Sequence, residues 1–164
     1  MTVRTGSRVA TLYLPAPLVR EVEQHGVRAY PAECCGILLG RDEAARRVVE
    51  RVRATENVFE DVSERRHRFS IDPLELLRAE AESSNGSLVV LGFYHSHPDH
   101  PARPSDFDRS RAWPFYSYVI VSIQSRQAVD MTSWVLDDAS GSFVRQDIVD
   151  GEPSGAIEGE SDHG

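Results

Sequence analysis

Two histidines that stand one residue apart, His95 and His97, are the residues whose type and spacing best suit chemistry. They follow Leu88 to Tyr94, the most apolar run of the chain, which predicts a central strand buried on both faces. In an extended chain, residues i and i+2 point to the same side, with their Cα atoms about 6–7 Å apart. Two imidazoles placed in this way can bind one metal ion. The pair therefore predicts part of a metal site at the end of a strand.

An acid and a hydroxyl follow at a distance that suits a return to this pair. Asp108 comes eleven residues after His97, and Ser105 precedes it by three, in a segment (Ser105 to Ala112) that predicts a short helix. With Asp108 as a third protein ligand, a fourth position is left for water, which is the pattern of a catalytic zinc site. The metal lowers the pKa of that water towards about 7, and a general base must then accept its proton.

Simpler interpretations of the same residues stay open. Ser105 and the acids after it also form an ordinary capped helix start. His100 lies in a Pro-rich loop predicted for His95 to Pro104, where solvent exposure is the simpler expectation. Asp99 and Asp106 are expected at the surface.

The two cysteines, Cys34 and Cys35, are adjacent and so offer no disulfide framework. Their number excludes a four-sulfur zinc site, and free thiols fit a reducing compartment. A thiol-protease interpretation is disfavoured because no clear nucleophile–base motif surrounds the pair. We expect reduced thiols that are at least partly buried.

The elements that position these residues are predicted from hydrophobic periodicity and from Pro and Gly boundaries. Their order, β-α-β-β-(β)-α-β-loop-α-β-β-β, indicates one α/β or α+β domain around a mixed sheet. Strands are predicted at residues 8–14, 35–40, 48–54, 88–94, 116–123, 131–136 and 142–147, with a short strand at Phe69 and Ile71. Helices are predicted from Pro15 to Pro31 and from Asp72 to Gly86. The second helix carries Leu74, Leu77 and Ala81 on one face.

Length and composition limit the function classes. The 164 residues suit one domain, and the net charge of −8 includes five acids and no base in the last fifteen residues. We expect a folded domain at 1–149 and an acidic, disordered tail at 150–164. All 18 basic residues are Arg, which excludes lysine chemistry, and no basic face is expected for nucleic acid. No apolar run suits a membrane span or a secretory signal, so a cytoplasmic location is expected.

The combined motif H-S-H-P-x6-S-x2-D, from His95 to Asp108, resembles the signature of the JAMM metalloproteases, also called MPN-plus domains. That signature requires a glutamate well upstream, and the segment Pro31 to Gly40 (PAECCGILLG) resembles its surroundings closely. The stretches Asn57 to Pro73 and Trp113 to Val121 are similar to the compact bacterial members. The resemblance covers roughly residues 8–147.

The resemblance implies a role for each matching residue. His95, His97 and Asp108 would bind one zinc ion per chain. Glu33 would hold the attacking water and act as general base and then as general acid, and Ser105 would hydrogen-bond the developing oxyanion or the water. A carboxyl before an apolar strand suits proton transfer, because desolvation raises its pKa. The implied fold is a single JAMM/MPN domain of the α+β class, a mixed central sheet flanked by helices, with cytidine-deaminase-like architecture.

The resemblance further implies hydrolysis of an amide bond. JAMM enzymes generally cleave peptide or isopeptide bonds after the C-terminal Gly-Gly of ubiquitin or ubiquitin-like proteins. Several compact members act on small sulfur-carrier proteins, from which they release an amino acid such as cysteine or trim residues to expose Gly-Gly. The expected partner is such a carrier protein, with no nucleic acid and no membrane.

Three alternatives are kept beside this hypothesis: a general deconjugase of a ubiquitin-like modifier, a non-catalytic binding module for such a protein, and a metal protein of another fold such as a cupin. The complete set of five site residues disfavours the binding module, and the acid that a cupin needs after its histidines is not evident. A zinc deaminase is excluded because its C-x-x-C ligand pair is missing. We assign no function to the basic cluster from Arg65 to Arg68 on the basis of the sequence.

Overall fold

Eight strands form one mixed sheet in the part of the chain that the computed structural model describes, residues 9–84, 86 and 88–151. The strands are β1 (Thr11–Tyr13), β2 (Cys35–Glu43), β3 (Arg46–Thr55), β4 (Val89–Pro98), β5 (Ser117–Gln124), β6 (Gln127–Leu136), β7 (Phe143–Gln146) and β8 (Ile148–Val149). The helices are α1 (Ala16–Ala29), α2 (Pro73–Ser84) and α3 (Asp106–Arg111), with a 3-10 turn at Val62–Glu64. No helix in these ranges is long and apolar enough to cross a membrane.

The strand order is β7-β6-β5-β4-β2-β3-β1-β8, so β4 lies near the middle of the sheet. It pairs antiparallel with β2 and parallel with β5. The expected mixed sheet of an α+β domain is confirmed. The predicted strand at 142–147 forms as β7, and the short β8 that follows it pairs with β1 on the far edge. The domain boundary at residue 149 stays a prediction, because residues 152–164 lie outside the described ranges.

Helix α1 covers one face of the sheet and closes the larger core cluster. Its residues Val22 and Gly26 are buried. A Cβ atom at Gly26 would lie 2.9 Å from the side chain of Ile123 on β5, which is closer than carbon atoms pack. The glycine that weakens the helix by propensity therefore allows the helix to lie close to the sheet.

Helix α2 packs a different stripe from the predicted one. Ala79 is buried and Leu76 packs against the smaller core cluster, whereas Leu74 and Leu77 are 53% and 60% exposed. The prediction of a face formed by Leu74, Leu77 and Ala81 is therefore wrong about what the helix buries. Both stripes have helical spacing, and the one that faces the sheet is set by the docking of the helix.

Two further corrections concern the surroundings of the histidines. No strand forms at Phe69 and Ile71 within the described residues; these side chains instead line a cavity next to His95. Strand β4 also continues through Pro98, so both histidines lie within the strand rather than in a loop that begins at His95. Parallel pairing with β5 extends β4 that far, and this long-range effect has no local sequence signal.

Candidate metal centre

Both histidines are held by the hydrogen-bond ladders of the central strands. His95 pairs with Cys35 on β2 and with Ile120 on β5, and His97 pairs with Ser122 on β5. The histidine side chains are 2% and 6% exposed. A buried imidazole requires polar partners, and here the two rings face each other and one carboxylate.

Three donor atoms converge at this point. Nε2 of His95 lies 3.2 Å from Nε2 of His97, and Oδ2 of Asp108 lies 3.2 Å from the first nitrogen and 3.1 Å from the second. Ligands placed tetrahedrally at roughly 2.0–2.1 Å from zinc stand about 3.3 Å from one another. Two imidazoles and one carboxylate are also ligand types that zinc prefers. The residues present therefore fit a divalent metal ion of this kind.

The orientation of His97 is set by a hydrogen bond on the far side of its ring. Nδ1 of His97 lies 2.8 Å from the carbonyl oxygen of Pro101. Since a carbonyl only accepts, Nδ1 is the protonated nitrogen of this ring, and Nε2 keeps its lone pair for a metal. The ring of His95 stacks against Phe69, with the ring centroids 4.5 Å apart.

Asp108 belongs to a capping box at the start of α3. Its backbone N–H donates to Oγ of Ser105 at 3.0 Å, and its Oδ2 accepts from the N–H of Ser105 at 2.9 Å. Burial acts to raise the pKa of Asp108, but His95, His97 and the N–H of Ser105 lower it well below its ordinary value. The carboxylate is therefore charged and fixed in direction. The same carboxylate therefore caps the start of α3 and lies beside the two histidines.

Glu33 lies beside this group as a buried carboxyl. It is 4% exposed, and its Oε1 has no hydrogen-bond partner among the described residues. Burial, followed by the charge of Asp108, raises the pKa of Glu33 to about 9. Glu33 lines a cavity of about 360 Å³ together with His97 and Ser105. The structure thus brings all five predicted site residues together.

Two residues with positioning contacts were not identified from the sequence. Ser96, between the histidines, is fully buried; its Oγ accepts from the N–H of Cys34 at 2.8 Å, and its N–H donates to the carbonyl of Cys34. Asn57 donates from Nδ2 to the carbonyl oxygens of Glu33 and Arg68, both at 3.0 Å. In the sequence, Ser96 could have been identified as a small polar residue inside an apolar strand. Asn57 could have been identified as an asparagine at the start of a long loop.

The basic cluster from Arg65 to Arg68 forms part of the support of Glu33. The carbonyl oxygen of Arg65 accepts from the N–H of Glu33 at 2.7 Å, and Nε of Arg65 donates to the carbonyl of Phe59. The guanidinium of Arg68 lies over the ring of Phe107 on α3. The segment between β3 and α2 therefore contacts Glu33 through its backbone and α3 through the side chain of Arg68.

The remaining candidates lie as the simpler interpretations expected. His100, Asp99 and Asp106 are exposed. Cys34 and Cys35 are buried free thiols, and burial raises their pKa to about 12 and about 11. Thiols with such values carry almost no thiolate at neutral pH, so they are poor nucleophiles.

A second cavity of about 260 Å³ adjoins the centre on the side of His95 and Asp108. It is mainly apolar; its lining includes Phe69, Ile71, Leu76, Phe93, Phe107 and Trp113. The metal centre therefore lies between an apolar cavity and the cavity that holds Glu33.

Comparisons with known proteins identify relatives of this chain. A family model described as "Prokaryotic homologs of the JAB domain" matches residues 15–137. A desampylase of Haloferax volcanii is 40% identical over 110 residues, 66% of this chain and 73% of the relative. A probable TtuB-protein conjugate cleaving protease of Thermus thermophilus is 38% identical over 109 residues, 66% of this chain and 68% of the relative.

A solution structure of a Desulfitobacterium hafniense protein aligns with 87% of this chain and 94% of its own, at a TM-score of 0.75 and 32% identity. The named relatives confirm the expectation of a hydrolase. The family model covers most of the chain, and the resemblance to the JAMM proteins is confirmed. The chain belongs to the family of prokaryotic homologs of the JAB domain.

Proposed function

We propose that the chain is a zinc-dependent hydrolase that cleaves a peptide or isopeptide bond after the C-terminal Gly-Gly of a ubiquitin-like or sulfur-carrier protein. The observation that carries this proposal is the group of three ligand atoms 3.1–3.2 Å apart beside Glu33, whose Oε1 has no partner among the described residues. The names of the Haloferax and Thermus relatives support a protein conjugate as substrate. Two free, buried thiols favour a reducing compartment, and we place the reaction in the cytoplasm.

His95, His97 and Asp108 would hold the metal. When bound, zinc supplies a Lewis acid that polarises the scissile carbonyl and acidifies a water molecule. Glu33 takes the proton of the attacking water and delivers it to the leaving nitrogen. Burial raises the pKa of Glu33 in the metal-free protein, and the charge of a bound cation would lower that pKa again, so that the carboxylate accepts a proton and later returns it.

Ser105 is an exposed residue that lines the same cavity as Glu33, and its hydroxyl accepts from the N–H of Asp108. We assign that hydroxyl to the carbonyl oxygen of the substrate, where it donates a hydrogen bond as negative charge develops. The backbone of Ser105 is already fixed by its bonds to Asp108. The donor therefore needs no reorganisation of the main chain during the reaction. The apolar cavity on the other side of the centre suits an apolar side chain of the carrier tail.

The experiment compares the wild-type chain with Glu33→Gln, both loaded with zinc. The substrates are the sulfur-carrier proteins of the same genome, each extended beyond Gly-Gly by an amino acid or linked to a lysine. We expect turnover in the wild type and a loss of about a hundredfold or more in Glu33→Gln, with zinc retained. Glu80→Gln, a change at an exposed acid on α2, is the matched control and keeps full activity.

Two results would contradict the proposal. Turnover in Glu33→Gln at the wild-type rate would remove Glu33 from the chemistry. Tight binding of a carrier by the wild type without any cleavage would favour the non-catalytic binding module instead.

A further inference from the structure

The cavity that contains Glu33 carries three nitrogen-bearing side chains that the proposed reaction does not use. They are His67, His100 and Arg103, which line the cavity together with Glu33, His97, Pro101 and Ser105. The rings of His67 and His100 lie 5.9 Å apart between their centroids. Hydrogen-bond donors from two separate segments therefore surround one space beside the metal centre.

Both segments are fixed against the fold. In the loop after β4, Oγ of Ser122 donates to the carbonyl of His100 at 2.5 Å, and Oγ1 of Thr132 donates to the carbonyl of Ala102 at 2.7 Å. These bonds fix the backbone that leads to Arg103, whose own N–H donates to the carbonyl of Pro101 at 2.9 Å. His67 belongs to the segment that is bonded to the main chain of Glu33. The backbone of both segments is thus fixed in advance of any ligand, while the side chains of His67, His100 and Arg103 are exposed and can reach one.

The cationic side chains of this cavity are only partly balanced by acids among the described residues. The guanidinium of Arg103 has no ion pair among the residues that the structure describes. Asp99 accepts hydrogen bonds from Tyr30 and from the N–H of Ser125 and interacts electrostatically with His100. Asp106 pairs with Arg109. Glu33 is the single carboxyl among the lining residues, beside the three nitrogen-bearing side chains. The cavity therefore favours an anion.

The proton transfer decides which part of a substrate enters this cavity. Hydrolysis breaks the C–N bond, places the hydroxyl of water on the acyl carbon and places a proton on the nitrogen. Glu33 can deliver that proton only to a nitrogen within hydrogen-bond reach. The leaving group must therefore occupy the cavity that Glu33 lines, and the acyl side of the tail must extend away from it.

We infer that Arg103, with His67 and His100, binds the carboxylate of a leaving amino acid. Among the substrates of the proposed function, these residues would select a carrier tail extended by one C-terminal residue over an isopeptide. In such a substrate the carboxylate lies one carbon atom from the scissile nitrogen. In an isopeptide to a lysine side chain, the leaving nitrogen is followed by an uncharged methylene chain. The inference rests on the proposed function and specifies its substrate class.

The test uses three synthetic probes that share one tail. The first ends in Gly-Gly-Ala with a free carboxylate, the second is its C-terminal carboxamide, and the third joins Gly-Gly to the side-chain nitrogen of a lysine derivative with blocked termini. Binding is measured by calorimetry on zinc-loaded Glu33→Gln, and cleavage on the zinc-loaded wild type. Each measurement is repeated with Arg103→Gln, with Arg103→Lys and with Arg20→Gln, a change at an exposed arginine of α1 that serves as control.

We expect the free carboxylate to be preferred over the other two probes by roughly tenfold to a hundredfold in binding and in kcat/KM. Arg103→Gln abolishes that preference, Arg103→Lys keeps part of it, and Arg20→Gln leaves it unchanged. Equal binding of acid and carboxamide, or an unchanged preference in Arg103→Gln, overturns the inference even if all three probes are cleaved. A carboxylate preference in binding without cleavage of any probe supports the subsite and overturns the proposed hydrolysis.

Discussion

Cys35 and His95 are paired across the antiparallel strands β2 and β4. Because antiparallel partners run in opposite directions, two residues back along one strand lie opposite two residues forward along the other. Glu33 is thereby brought beside His97, although the two are far apart in the sequence. The register of one strand pair thus places the carboxyl and the metal ligands in a common site. The bonds between Cys34 and Ser96 continue this register beyond the last paired residues.

Replacing Ser96 by alanine tests how much the hydrogen bond between Ser96 and Cys34 stabilises the fold. Ser96→Ala removes the oxygen that accepts from the buried N–H of Cys34, and no water can easily reach the group. We expect the free energy of unfolding to fall by about 1–3 kcal/mol in urea denaturation. Ser110→Ala, at an exposed serine on α3, is the control and changes it by less than about 0.5 kcal/mol. Equal stability of the two variants would show that the Ser96 bond adds nothing.

Asn57 is expected to act on turnover through Glu33. Its side chain donates to the carbonyls of Glu33 and Arg68 and accepts from the N–H groups of Phe59 and Ser70. Asn57→Asp keeps the two acceptor bonds but loses both donors, whereas Asn57→Ala loses all four. We expect about 1–2 kcal/mol lower stability in Asn57→Ala, a smaller loss in Asn57→Asp, and a similar fall of kcat in both. Wild-type kcat in Asn57→Asp would exclude this positioning role.

The local parts of the site followed from sequence rules, and the long-range parts did not. The alternation of a strand places His95 and His97 on one side, and a capping pattern predicts the helix start at Ser105. The approach of Glu33 depends on strand register, which no local pattern encodes, and it was expected through family resemblance alone. Phe69 was predicted in a strand because it is apolar, but it is held by stacking on His95.

The raised pKa of Glu33 predicts a pH-dependent stability in the metal-free protein. The carboxyl has a pKa of about 9 when folded and an ordinary value of 4.5 when exposed, so the folded state binds more protons between these values. Stability therefore falls as pH rises through this window, by up to about 1.4 kcal/mol per pH unit. Glu33→Gln lacks this loss, so its stability relative to wild type increases from pH 5 to pH 8. A constant difference between the two proteins in urea denaturation would contradict the burial of a neutral carboxyl.

The central claim is that His95, His97 and Asp108 hold one metal ion, and the most direct test is the zinc content of the purified protein. Elemental analysis of the wild type and of His97→Ala, with folding checked by circular dichroism, gives the number of ions per chain. We expect about one zinc per chain in the wild type and almost none in His97→Ala, since two remaining ligands bind zinc weakly. A folded wild type that takes up no zinc, even when zinc is added back, would contradict the account.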